Sequence, residues 1–123
     1  MSWLLEALRE AVEAEGMFIV TEAGPTEAAA NRGVVIPGNR VIGVFRNDYA
    51  VEILRLSVPA MVEAPIRFYV TENEDGSATP SWKTPSHVLA PYLEEGGDAL
   101  AEIGHELDAV FDAIAHRAVE RID

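Results

Sequence analysis

Of the three histidines in this chain, His87 has the setting most suited to chemistry. It lies in Ser86-His87-Val88-Leu89 after a proline-started turn, with Trp82 and Tyr92 close by in sequence. An imidazole among aromatics beside a sheet can ligate haem, here with Met61 as a second ligand, or donate to a small ligand. The simpler alternative is a partly buried histidine capping a local turn. Arg46, Arg67 and Glu63 form a second group. Arg46 closes one expected strand and Arg67 stands early in the next, so both can reach a sheet edge. A guanidinium there can bind a ligand carboxylate. An ion pair with one of the 21 acidic residues is the commoner outcome. Asp112 and His116 stand at i, i+4, the minimum for two metal ligands on one helix face. The same spacing gives an exposed ion pair, and that is the expectation, with no metal site. His105 faces away from the core on the same helix. Gly96-Gly97 before a helix start could hold an anion, but Glu94, Glu95 and Asp98 argue against it.

Several chemistries are excluded by composition. The 123 residues include no cysteine, which removes thiolate nucleophiles, Fe–S clusters and disulfides and leaves the redox compartment open. There is no Gly-x-Ser-x-Gly elbow, no phosphate-cradling glycine loop and no His-Glu-x-x-His. No acid–base pair stands out, so a small hydrolase or isomerase ranks last among the functions considered. The net charge is −12, and its eight arginines and single lysine are scattered, so no nucleic-acid partner and no anionic membrane surface is expected. The N-terminal run lacks the basic region and long apolar stretch of a secretory signal, and no stretch has transmembrane length. A cytoplasmic protein is the expectation.

The elements that must position these residues can be read from periodicity. Leu5, Leu8 and Val12, with Leu4 and Ala11 beside them, mark a first helix that Ser2 can cap and Gly16 stops. Met17–Thr21 is a nearly uninterrupted apolar strand, expected to be covered on both faces. Thr26–Arg32 reads as a short helix closed by Gly33, and Arg40–Phe45 as the next strand. Asn47 or Asp48 can cap a helix from Tyr49 to Leu56 with Ala50, Ile53 and Leu54 as its stripe. Ile66, Phe68 and Val70 alternate with Arg67, Tyr69 and Thr71, and Asp75-Gly76 then reverses the chain. In the second hairpin strand Pro80 cannot donate to a central ladder, which places it at an edge or a bulge. Thr84-Pro85 starts a short turn through Leu89, Glu94–Gly97 reads as a loop, and a long helix runs from Asp98 to about Ile122. Leu100, Ile103, Leu107, Val110 and Ile114 form its seam, widened by Phe111 and Ala118. A heptad fails at Arg117, so the seam packs on a sheet rather than in a coiled coil. The sum is one two-layer α+β domain over 1–123, a mainly antiparallel sheet packed against helices with a long C-terminal helix.

Three stretches carry a resemblance to a known family. Val41-Ile42-Gly43-Val44-Phe45-Arg46-Asn47-Asp48, Pro65 to Gly76 and Trp82-Lys83-Thr84-Pro85 resemble the apolar strand and turn, the hairpin and the aromatic-x-x-Pro stretch of the bacterial and archaeal DUF302 domain. The resemblance spans Glu10 to Arg117. It implies a curved antiparallel sheet gripped by helices, often dimeric, and no established activity. Arg46 and Asp48 depart from the family's turn. Gly24-Pro25-Thr26 stands where many members carry an Asp-His pair, so no role of that pair passes to this chain.

The reading that follows is a non-enzymatic ligand-binding or interaction domain for a small apolar or anionic ligand, with haem or another apolar cofactor on His87 as the alternative. A symmetric homodimer is expected, through the hairpin with exposed Tyr69 and Trp82 or through the outer face of the long helix at Ala109 and Ala113.

Overall fold

The computed structural model describes residues 1–122. Helix α1 (Ser2–Ala14) leads to strand β1 (Phe18–Ala23), helix α2 (Thr26–Asn31), strand β2 (Asn39–Phe45) and helix α3 (Asn47–Leu56). A 3-10 turn at Pro59–Glu63 precedes the hairpin of β3 (Ile66–Glu72) and β4 (Ala78–Trp82). Helix α4 (Pro85–Leu89), a second 3-10 turn (Ala90–Tyr92) and helix α5 (Leu93–Ile122) complete the chain. The four strands form one antiparallel sheet in the order β1-β2-β3-β4. The fold is therefore α+β, with a long C-terminal helix.

One face of the sheet meets the helices. Ile42, Val44, Ile66, Phe68 and Val70 point into a core shared with Leu4, Leu8 and Val12 of α1, Ile53 of α3, Leu89 of α4 and Leu100, Leu107, Phe111 and Ile114 of α5. The alternation read from β3 is what is buried: Ile66, Phe68 and Val70 are inside, Arg67 and Tyr69 outside. Phe68 lies at the centre, stacked on Phe111 with ring centroids 4.8 Å apart. In α5, Leu100, Leu107, Phe111, Ile114 and Ala118 are buried, and Ile103 and Val110 are half-buried beside them.

Directly opposed residues in an antiparallel pair share a face, so the register defines the other side of the sheet. It carries Phe18 opposite Phe45, Thr21, Gly43 and Arg67 in a row, then Ala23, Val41, Tyr69 and Ser81. Asn39, Thr71 and Thr79 follow. Among the described residues, none of the strand positions on this face is acidic. Gly43 is required here, because a Cβ on it would lie 2.2 Å from Thr21 Oγ1 and 2.7 Å from Pro65 Cγ.

Four expectations change. Strand β1 is not covered on both faces; it is an edge strand with Phe18 62% exposed, and Val20 occupies a register shift against β2. An apolar run does not distinguish a central strand from an edge strand, since the number of neighbouring strands is a tertiary property. Met1, not Ser2, is the N-cap of α1 and makes no side-chain bond, while Arg46 precedes α3 in the same way. Leu54 lies on the exposed side of α3 rather than in its stripe. The segment expected as a loop before the long helix is instead a helical turn, broken at Gly97, whose φ of 67° no side-chain-bearing residue readily adopts. The body of the helix still begins at Asp98.

A polar cluster ties the first edge together. Arg9 on α1 donates two hydrogen bonds to Glu22 on β1, at 2.9 and 2.7 Å. Arg40 on β2 bridges Glu22 and Glu27 of α2 at 3.3 and 2.6 Å. The Arg9 hydrogen bond, with its charge and the contacts of Arg40, holds the Glu22 carboxyl below its ordinary range against the opposing effect of burial.

Candidate functional site

Strand β4 stops earlier than its partner. Its last residue, Trp82, pairs with Phe68, whereas β3 continues back through Arg67 to Ile66. The cause is local. Thr84 is extended, with φ −59° and ψ 139°, and Pro85 opens α4, so the chain turns away from the sheet. The Thr84 hydroxyl accepts the His87 backbone N–H at 3.4 Å and caps that turn. Between β3 and the departing chain lies a half-open cleft of about 410 Å³.

The cleft is lined by Ile66, Arg67 and Tyr69 of β3, Val41 of β2, Ser81, Trp82 and Lys83 at the end of β4, Val88 of α4 and Glu63. Trp82 is held by Phe68, with ring centroids 5.3 Å apart and planes at 60°. Tyr69 accepts a hydrogen bond from the Asn39 side-chain amide. Tyr92 donates its hydroxyl to Glu63 Oε2, linking the two 3-10 turns. That hydrogen bond raises the Tyr92 phenol above its usual range, with desolvation and the Glu63 charge adding to it.

The cations of the cleft differ from most of those elsewhere. Arg9, Arg40, Arg46, Arg55 and Arg117 are all in ion pairs. Among the described residues, Arg32, Arg67 and Lys83 make none, and of these three Arg67 and Lys83 line the cleft. Two unpaired cations and one carboxylate thus line a cleft that is otherwise apolar and aromatic apart from the Ser81 and Tyr69 hydroxyls.

The structure brings Arg67 and Trp82 into this cleft, and Tyr92 beside it through Glu63. His87 is exposed and does not line it. Met61 is half-buried against the core. Arg46 is elsewhere, with its fork on both Asp48 oxygens at 2.7 and 3.1 Å and its Cζ 4.2 Å from the Tyr49 ring centre. The expected cluster of Arg46, Arg67 and Glu63 therefore divides, because Arg46 leaves β2 for α3 while Arg67 and Glu63 remain at the cleft. Trp82 and Tyr69 occupy opposite faces of the hairpin, and Trp82 is half-buried. His116 pairs with Asp112 at 3.4 Å and His105 lies 3.8 Å from Asp108, both exposed. No group of three metal-binding side chains occurs among the described residues, and no helix among them is long and apolar enough to cross a membrane. Sequence reading missed Lys83, Ser81 and Val88, and read Val41, Ile66 and Tyr69 as strand residues without a place in the site. The signal for Ser81 and Lys83 was Thr84-Pro85, which ends a strand shorter than its partner and leaves the preceding residues along an open edge; Val88 comes in with the helix that Pro85 opens.

None of the curated proteins matches this chain. Among solved structures, an uncharacterised conserved DUF302 protein from Bacillus stearothermophilus superposes with a TM-score of 0.82 at 18% identity, over 96% of this chain and 90% of that one. At that identity the likeness shows the fold. The model of the DUF302 family, a domain of unknown function, matches residues 3–114 and so takes in the residues that line the cleft. With nearly the whole chain matched, this protein belongs to the DUF302 family.

Proposed function

We propose that this chain is a non-enzymatic ligand-binding domain whose ligand enters the cleft between β3 and the β4–α4 turn. The observation that carries this reading is Arg67 and Lys83, unpaired beside Trp82, Tyr69, Ile66 and Val88 in a 410 Å³ cleft. That size and that mixture of apolar walls with a few polar groups fit a small-molecule site. The lining hydroxyls, Ser81 and Tyr69, have no histidine hydrogen-bonded to them among the described residues, which favours binding over acyl-transfer chemistry. Amide spectra recorded with a library of small fragments test it. Binders should move the Ile66, Arg67, Trp82 and Val88 signals together. Shifts scattered over the surface, or none at all, would refute the site.

The same reading takes the protein as a homodimer, supported by the acid-free outer face of the sheet. Phe18 and Phe45 oppose one another there, with Val20 half exposed beside them, at the β1 edge away from the cleft. In a chain of net charge −12, this is where two copies can approach without carboxylates facing each other. The interface aromatics then become Phe18 and Phe45 in place of Tyr69 and Trp82. Light scattering at micromolar concentration should give twice the 13.4 kDa of one chain, and Phe18→Asp should return it to that mass. A native mass of one chain refutes the dimer.

A further inference from the structure

We infer that the cleft selects a small organic acid carrying one carboxylate on a flat apolar body. This rests on the ligand-binding reading above and names the class of ligand. The lining holds two cations, Arg67 and Lys83, and one carboxylate, Glu63, which leaves one net positive charge for a bound anion to neutralise. The planar fork of Arg67 matches a carboxylate through two parallel hydrogen bonds, and Lys83 adds a point charge. A dianionic group would bring its second charge into the field of Glu63, whose position is held by Tyr92. Trp82, Ile66, Val88, Val41 and the Tyr69 ring offer the apolar body its walls.

The overall charge of −12 does not oppose this. At physiological salt, exposed charges farther away than about 8 Å are largely screened, whereas Arg67 and Lys83 act at contact distance. The strand residues on the sheet face adjoining the cleft add no carboxylate to that of Glu63.

The experiment compares 2-naphthoate, neutral 2-naphthol and dianionic 2-naphthyl phosphate, followed by amide spectra of the full chain. Naphthoate should perturb Arg67, Trp82 and Lys83 and bind about tenfold tighter than naphthol, the scale of a charge-assisted contact. Arg67→Gln and Lys83→Gln, both exposed substitutions that leave the core untouched, should each weaken naphthoate about fivefold or more and naphthol by a clearly smaller factor. Equal binding of naphthol and naphthoate in the cleft overturns the organic-acid assignment and leaves the cleft as a site. Tighter binding of the naphthyl phosphate overturns the single-charge selection. No perturbation of cleft residues by any of the three overturns the ligand-binding reading itself.

Discussion

Phe68 is the residue through which the core reaches the cleft, and truncating it should be felt in both. It is 0% exposed, stacked on Phe111 at 4.8 Å and 19°, and it also contacts Trp82 at 5.3 Å. Removing a buried Phe ring costs about 3–5 kcal/mol once the residual cavity is included. A chain of 123 residues has a total stability of roughly 6–18 kcal/mol at typical per-residue values. Phe68→Ala should therefore remove a large share of the stability without abolishing the fold in the upper part of that range. Phe111→Ala should cost a similar amount, since Phe111 is 1% exposed. Because the rings touch, the double variant should fall short of the sum by about 0.5–1.5 kcal/mol. Urea denaturation of the four proteins measures this, and Phe68→Leu replaces Phe68→Ala if the alanine variant does not fold. The second readout is local. In a Trp3→Phe background Trp82 is the one tryptophan, and Phe68→Ala should shift its emission to the red by exposing the indole. Phe111→Ala should leave that emission nearly unchanged, since the ring contact of Trp82 is with Phe68. Additive costs, or equal emission shifts in both variants, would show that Phe68 does not connect α5 to the cleft wall.

Two further predictions concern the first half of the sheet. Gly43→Ala should destabilise by about 1–3 kcal/mol, because its Cβ would collide with Thr21 and Pro65 and force β1 or the start of β3 to move; an unchanged melting temperature would show that this row is loosely packed. The Glu22 carboxyl is held below the 4.5 of an unperturbed glutamate, chiefly by the Arg9 hydrogen bond. Its contribution to stability is then fully present above about pH 4.5 and is lost as pH falls through the lower folded value. Glu22→Gln should accordingly be less stable than the native protein at pH 7 and converge with it in more acidic solution. Parallel stability curves for the two proteins from pH 7 to pH 2 would refute that linkage.

What this sequence determines by itself is whatever rests on spacing within a few residues. The alternation of Ile66, Phe68 and Val70 assigns the buried face of β3, since successive side chains of a strand point to opposite sides. Asp75-Gly76 makes the hairpin reversal because Gly76 can take φ 85° while an Asp75 oxygen accepts from the Ser77 N–H. Thr84-Pro85 begins α4 through a hydroxyl cap and a proline that lacks only a donor the helix start does not use. Pro80 stands in an edge strand for the reason a proline must. Neighbours distant in sequence decided the rest. The apolar strand β1 is an edge because only β2 pairs with it, a fact that no local pattern contains. Arg46 and Arg67 read as equivalent strand-end cations, yet one is spent on Asp48 and Tyr49 and the other faces the cleft unpaired. His87 lies near Trp82 and Tyr92 in sequence, but its N3 position in α4 leaves it exposed while Trp82 folds back onto Phe68. The cleft itself exists because β4 is shorter than β3. Each strand's length can be approached locally, but the gap between them appears only when the register aligns the two.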